Sequence, residues 1–119
     1  SMVTEAWEAA QRLHDDGVYI LVINARWCKP IDVDGISAWM KPSRPLVIIE
    51  ENVRIGGFGQ QLVDGLAERN LLPRAHQLLT LPDGWVEHGT QPVIRAGVGL
   101  NADSLVQAIK GLRSGKGIA

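Results

Sequence analysis

Leu46-Val47-Ile48-Ile49-Glu50-Glu51-Asn52-Val53-Arg54-Ile55-Gly56-Gly57-Phe58-Gly59 decides the fold of this chain. Its first five residues form a β-rich run whose nearly continuous apolarity reads as a strand covered on both faces, as in a parallel sheet. The run leaves the strand through Glu50-Glu51-Asn52 and enters a helix through glycines. Gly57 and Phe58 open that helix, and Leu62, Val63, Leu66 and Ala67 mark it. A strand that passes directly into a helix is the unit of an α/β fold.

The same alternation extends in both directions. Downstream, Ala75-His76-Gln77-Leu78-Leu79-Thr80-Leu81 reads as a weaker strand closed by Pro82-Asp83-Gly84. Upstream, Val18-Tyr19-Ile20-Leu21-Val22-Ile23-Asn24-Ala25 reads as another strand covered on both faces. Between these two upstream and central runs, Asp32 can cap a helix carrying Ile36, Trp39 and Met40. Thr4 to Asp16 reads as a helix capped by Thr4, with Ala6, Ala9, Ala10 and Leu13 on one face and Gly17 at its left-handed end. Pro92 suits a first helical turn behind Thr90. Asn101 can cap a last helix whose stripe is Ala102, Leu105, Val106, Ile109 and Leu112. The expected architecture is α/β, three layers around a mostly parallel sheet, in one domain over 1–113 with a disordered tail at 114–119. Three strands are few for four or five helices, and the sequence opens in a helix. A strand is therefore expected either from outside this sequence or because the sequence begins inside a domain.

Composition excludes several function classes. The 119 residues carry 12 Lys plus Arg and 13 Asp plus Glu, a net charge of −1, with 45% hydrophobic and 21% charged residues. Such a balance provides no clustered basic face for nucleic acid. No apolar run approaches the roughly 18–20 residues needed to span a bilayer, and Ser1-Met2-Val3-Thr4-Glu5 lacks the charged and apolar regions of a signal peptide. Cys28 is the only cysteine, so neither an internal disulfide nor a cysteine zinc site can form. A cytoplasmic setting is the default expectation.

The chemistry-bearing motifs are few. Gly57-x-Gly59 is followed by Leu62 where a dinucleotide fingerprint needs its third glycine, and the Lys-Ser/Thr of a phosphate loop is missing. Close packing of the helix is the expected job of these glycines. Glu50 and Glu51 are adjacent, so they point to opposite faces and cannot serve one atom without a bend; Glu51 with Asn52 is better suited to holding a loop or a partner domain. His14, His76 and His88 share no metal-ligand spacing. His88 lies with Trp85 and Glu87 in a loop beyond a strand, where α/β proteins bind ligands. Arg26 can pair with a carboxylate, and Cys28 has no partner signature for a nucleophile. No Gly-x-Ser-x-Gly elbow occurs. These residues describe a domain without self-contained catalytic machinery.

Read together, Asn24-Ala25-Arg26 with Lys29-Pro30-Ile31-Asp32, then Glu50-Glu51-Asn52 with Gly56-Gly57-Phe58-Gly59, then Leu81-Pro82-Asp83 with His88-Gly89, then Gly99-Leu100-Asn101 resemble the C-terminal domain of the 1-deoxy-D-xylulose-5-phosphate synthases. These belong to the transketolase-like, thiamine-diphosphate-dependent family. The resemblance runs from about Val3 to Leu112. It implies a doubly wound, mostly parallel sheet with one antiparallel strand, opened by an apolar strand that this sequence lacks. It implies a parent transferase that condenses pyruvate with D-glyceraldehyde 3-phosphate, using thiamine diphosphate with Mg²⁺ held by two preceding domains. This domain is then implied to pack on the middle domain and to support a homodimer, with no catalytic residue of its own. Arg26, Glu51, Asn52, Gly56, Gly57, Gly59 and His88 become candidates for the inter-domain surface. Trp27, Cys28 and Ile31 depart from the usual residues of that family, as in a diverged member. The alternatives are the same domain of transketolase or of a 2-oxo acid dehydrogenase β subunit, a stand-alone interaction module, and a small anion binder using Gly56 to Gly59.

Overall fold

The computed structural model describes residues 2–24, 32–41, 43–53, 57–81 and 100–114. In chain order these form α1 (Met2–Asp15), α2 (Val33–Ser37), β1 (Leu46–Val53), α3 (Phe58–Glu68), β2 (His76–Leu81) and α4 (Ala102–Arg113). β1 and β2 pair in parallel, with Leu46 opposite His76 and Ile49 opposite Leu79. Two apolar clusters cover the two faces of this pair. Val47, Ile49 and Leu79 pack on a cluster that α1 and α4 build from Ala9, Leu13, Ala102, Leu105 and Val106. Leu46 and Leu78 pack, with Val33 and Ile36, on the other cluster, where Ile48 meets Leu62 and Leu66 of α3. Helices on both faces of a parallel ladder make the expected three-layer α/β architecture.

The helix ends follow local chemistry. Gly17 takes φ +81°, and Val18 N–H closes on Leu13 O at 2.8 Å, which terminates α1 in a left-handed turn. Asn70, at φ 56°, does the same for α3, with Leu71 N–H on Leu66 O at 2.9 Å. Asp32 caps α2 by accepting from Gly35 N–H at 2.9 Å. Asn101 caps α4 by accepting from Ser104 N–H at 2.9 Å. Glu5 also accepts from Ala102 N–H at 3.3 Å, so α1 helps to satisfy the start of α4. We expect Asn101→Ala to cost about 1 kcal/mol, the usual value of a lost N-cap, in urea unfolding. The Arg12–Asp103 pair at 2.6 Å and the Lys110–Asp16 pair at 3.3 Å lie on the exposed surface, where such pairs contribute little.

Three expectations need correction. α1 begins at Met2, so Thr4 stands inside the first turn and is not the cap. α2 ends at Ser37, which leaves Trp39 beyond the helix and 55% exposed. The largest difference concerns the upstream apolar run. Residues 18–24 form no strand, and among the described residues no backbone hydrogen bond joins them to β1. Val18 and Ile20 pack on the α1–α4 cluster, while Tyr19 and Leu21 are 77% and 50% exposed. The run is covered on one face only, because its near-continuous apolarity conceals an in–out alternation. The helix expected behind Pro92 and the tail 115–119 lie outside the described residues.

Candidate functional site

The corner where β1 turns into α3 brings together most of the residues marked by the sequence. β1 continues past Glu50 to Val53, and its register against β2 slips between Ile49 and Val53. Glu51 and Asn52 therefore sit in an irregular stretch of strand, a feature common beside functional sites because it re-aims side chains. Glu51 is half-buried and engaged by its surroundings.

Glu50 organises this corner. Its side chain lies on the same side as Ile48, beneath the start of α3, and among the described residues it is the buried charged group of the core. Oε2 accepts from Phe58 N–H at 3.1 Å and Oε1 from Gly59 N–H at 2.8 Å. These amides are among the orphan donors of a helix N-terminus. Gly57 stands at the N-cap with extended backbone, φ −79° and ψ 171°, and has no side chain to cap with. A carboxylate from the preceding strand does that work, and the helix dipole favours the negative charge there.

The carboxylate can reach those amides because Gly59 lets α3 settle onto the sheet. A Cβ at Gly59 would lie 2.9 Å from Glu50 Oε1, 3.1 Å from Leu78 Cδ2 and 3.3 Å from Ile48 Cγ2. The glycine thus serves close packing, as expected from the sequence. Gly59 is buried, so its role in the described structure is internal. The amides of Phe58 and Gly59, which an anion-binding loop would offer to a ligand, are already held by the chain's own carboxylate. In the sequence Glu50 stands out only as one of a carboxylate pair. The signal that marks it is its spacing, eight and nine residues before the amides it holds.

Of the other marked residues, Arg26, Gly56 and His88 lie outside the described residues, as does Cys28. His14 is exposed on α1 with its ring edge-on to Tyr19, centroids 5.0 Å apart. His76 is paired through Nδ1 with Pro73 O at 2.8 Å. Among the described residues no group of three or more His, Cys, Asp or Glu could hold a metal ion. With the α3 amides engaged by Glu50, the described residues do not fit a diphosphate–metal group. What the described residues of the corner show is a clamp, the Glu50 carboxylate holding the start of α3.

Residues 1–105 match the family described as transketolase, C-terminal domain. The chain is 37% identical over 107 residues to 1-deoxy-D-xylulose-5-phosphate synthase of Desulforudis audaxviator, covering 90% of this chain and 17% of that protein. It is 36% identical over 121 residues to the synthase of Nitratidesulfovibrio vulgaris, covering 100% of this chain and 19% of the relative. The Aquifex aeolicus synthase is 31% identical over 91% of the chain. The chain thus spans less than a fifth of the length of these relatives. Among solved structures, a chain described as split gene transketolase, inactive beta4 tetramer, superposes with a TM-score of 0.78 at 28% identity, over 95% of this chain and 36% of that one.

Proposed function

Because this chain belongs to the transketolase C-terminal domain family, we propose that it is the C-terminal domain of a 1-deoxy-D-xylulose-5-phosphate synthase and contributes structure to that enzyme. The observation that carries the reading is identity of 31–37% to three such synthases over 90% or more of the chain. The parent is a transferase that condenses pyruvate with D-glyceraldehyde 3-phosphate and feeds isoprenoid synthesis. Thiamine diphosphate, with Mg²⁺, supplies carbanion stabilisation in that reaction. Other domains of the parent hold the cofactor, a reading supported by the Glu50 clamp on the α3 amides.

This chain's own residues fix a surface. Glu50 pins the β1–α3 corner, so that Glu51, Asn52 and Gly57, with Arg26, Gly56 and His88, form the inter-domain face supported from within by Gly59. That face packs on the preceding domain and supports a homodimer. No helix among the described residues is long and apolar enough to cross a membrane. The cytoplasm is the proposed setting, in line with the single cysteine.

A chimera tests the reading. This chain replaces the corresponding C-terminal segment of the Desulforudis audaxviator synthase, and pyruvate-dependent product formation is measured. We expect kcat within about tenfold of the parent, or about 1.4 kcal/mol in barrier. A dimeric, thiamine-loaded chimera without turnover contradicts the proposal. So does micromolar or tighter binding of thiamine diphosphate with Mg²⁺ to this chain alone in calorimetry.

A further inference from the structure

The outward face of α1 repeats one small pattern. Trp7 is followed by Glu8, and His14, two helical turns later, is followed by Asp15. Trp7, Gln11 and His14 fall at the i, i+4, i+7 spacing that sets them in one row, with Glu8 and Asp15 alongside it. All five are exposed. Trp7 keeps 59% of its surface in water, and Tyr19, whose ring meets His14 edge-on at 5.0 Å, keeps 77%. Gln11, Asp15 and the three rings line an open hollow of about 510 Å³.

The charges around this hollow are one-sided. Arg12, the one Lys or Arg of α1, is held by Asp103 at 2.6 Å, and Lys110 is held by Asp16 at 3.3 Å. The carboxylates of Glu8 and Asp15 have no ion-pair or hydrogen-bond partner among the described residues. An aromatic ring attracts a cation over its face, and a carboxylate beside the ring adds a second attraction. The hollow therefore complements positive charge. A guanidinium uses both neighbours at once, because it stacks flat on a ring while its N–H groups donate to a carboxylate. A quaternary ammonium has no N–H to donate, and a lysine ammonium gives up stronger hydration.

Spacing narrows the occupant further. Seven residues separate the two ring–carboxylate pairs, about 10.5 Å along a helix. In a polyproline II segment, side chains i and i+3 leave on the same side about 9.3 Å apart. A β-strand sends i and i+3 to opposite sides. We infer that this face of α1 docks a polyproline II segment of a partner protein with the pattern Arg-Pro-Pro-Arg. One guanidinium sits on Trp7 beside Glu8, and the other sits on Tyr19 and His14 beside Asp15. Aromatic-lined surfaces suit such segments, whose backbone is already ordered before binding. The inference goes beyond the enzymatic reading and does not depend on it.

The test titrates the full chain with acetyl-Pro-Arg-Pro-Pro-Arg-Pro-amide, followed by amide NMR with sedimentation alongside. The control, acetyl-Pro-Pro-Arg-Arg-Pro-Pro-amide, has the same composition, but its arginines leave on different sides. The expected result is a Kd of about 1 mM or tighter, with shifts at Gln11, His14 and Tyr19. The control is expected to bind about fivefold more weakly, because it seats one guanidinium only. Trp7→Ala, and Glu8→Gln with Asp15→Asn, are each expected to weaken binding about fivefold. The carboxylate variant preserves shape and keeps the test decisive if the alanine variant does not fold. No shift at these residues overturns the proposal. Equal affinity for the two peptides overturns it too, since charge alone is then read, and so does unchanged affinity in either folded variant. Concentration-dependent shifts at the same residues without peptide, accompanied by a dimer, make a second copy the occupant and overturn it as well.

Discussion

Glu50→Ala is expected to lower the free energy of unfolding by about 3 kcal/mol, seen as a lower urea midpoint at unchanged slope. A hydrogen bond to a charged partner contributes about 1.5–3 kcal/mol, and Glu50 makes two, to Phe58 and Gly59. Their sum overstates the loss, because the substitution also relieves the burial of a carboxylate. What remains is a helix start with two donors turned toward a space just emptied. Glu50→Gln preserves the shape and one acceptor, so about half the loss is expected. The readout is equilibrium unfolding followed by far-UV circular dichroism. An Ala variant within about 0.5 kcal/mol of the parent chain would show that the corner is held by something else.

Gly59→Val is expected to be as damaging, at about 3 kcal/mol, but for the opposite reason. The Cβ alone meets Glu50 Oε1, Leu78 Cδ2 and Ile48 Cγ2, all at 3.3 Å or less. Two of these atoms belong to packed core side chains, and the third is pinned by its own hydrogen bonds. Either α3 lifts off the sheet or the carboxylate lets go, and overpacking of this kind costs typically 1–3 kcal/mol even for a few atoms. Gly59→Ala is milder, near 1 kcal/mol, because better helix propensity returns about 1 kcal/mol. Since the Val side chain acts partly by expelling Glu50, the double variant should lose less than the sum of the single losses. Full additivity would show that the two residues act independently.

How much of this was legible in the sequence depends on the range over which each signal acts. Gly17, Asp32 and Asn101 were readable because a cap or a left-handed turn is decided within a few residues. β1, α3 and β2 were readable because their apolar periods are decided within one element. Residues 18–24 misled because a strand exists only through its ladder, and composition cannot show whether a partner lies alongside. Glu50 was overlooked as a clamp for a related reason. Its acidity and its place at a strand end suggested chemistry or solvent, whereas its role depends on α3 settling onto the sheet at Gly59. The register slip after Ile49 was invisible as well, because it reflects how two strands meet and not what either prefers.

The contact between α1 and α4 carries a consequence for how the molecule is made. Ala9 and Leu13 share a core with Leu105 and Val106, and Glu5 holds the amide of Ala102, 97 positions away. One of the two apolar clusters among the described residues is thus shared between segments far apart in the sequence. Closing so wide a loop is costly and slow compared with local pairing. During translation α1 emerges with its apolar side uncovered, and it stays so until α4 has cleared the ribosome. Helix α3 and its strands complete their own core earlier. The nascent domain therefore matures from the middle outward, and its period of greatest exposure to chaperones and proteases lasts until α4 has joined α1.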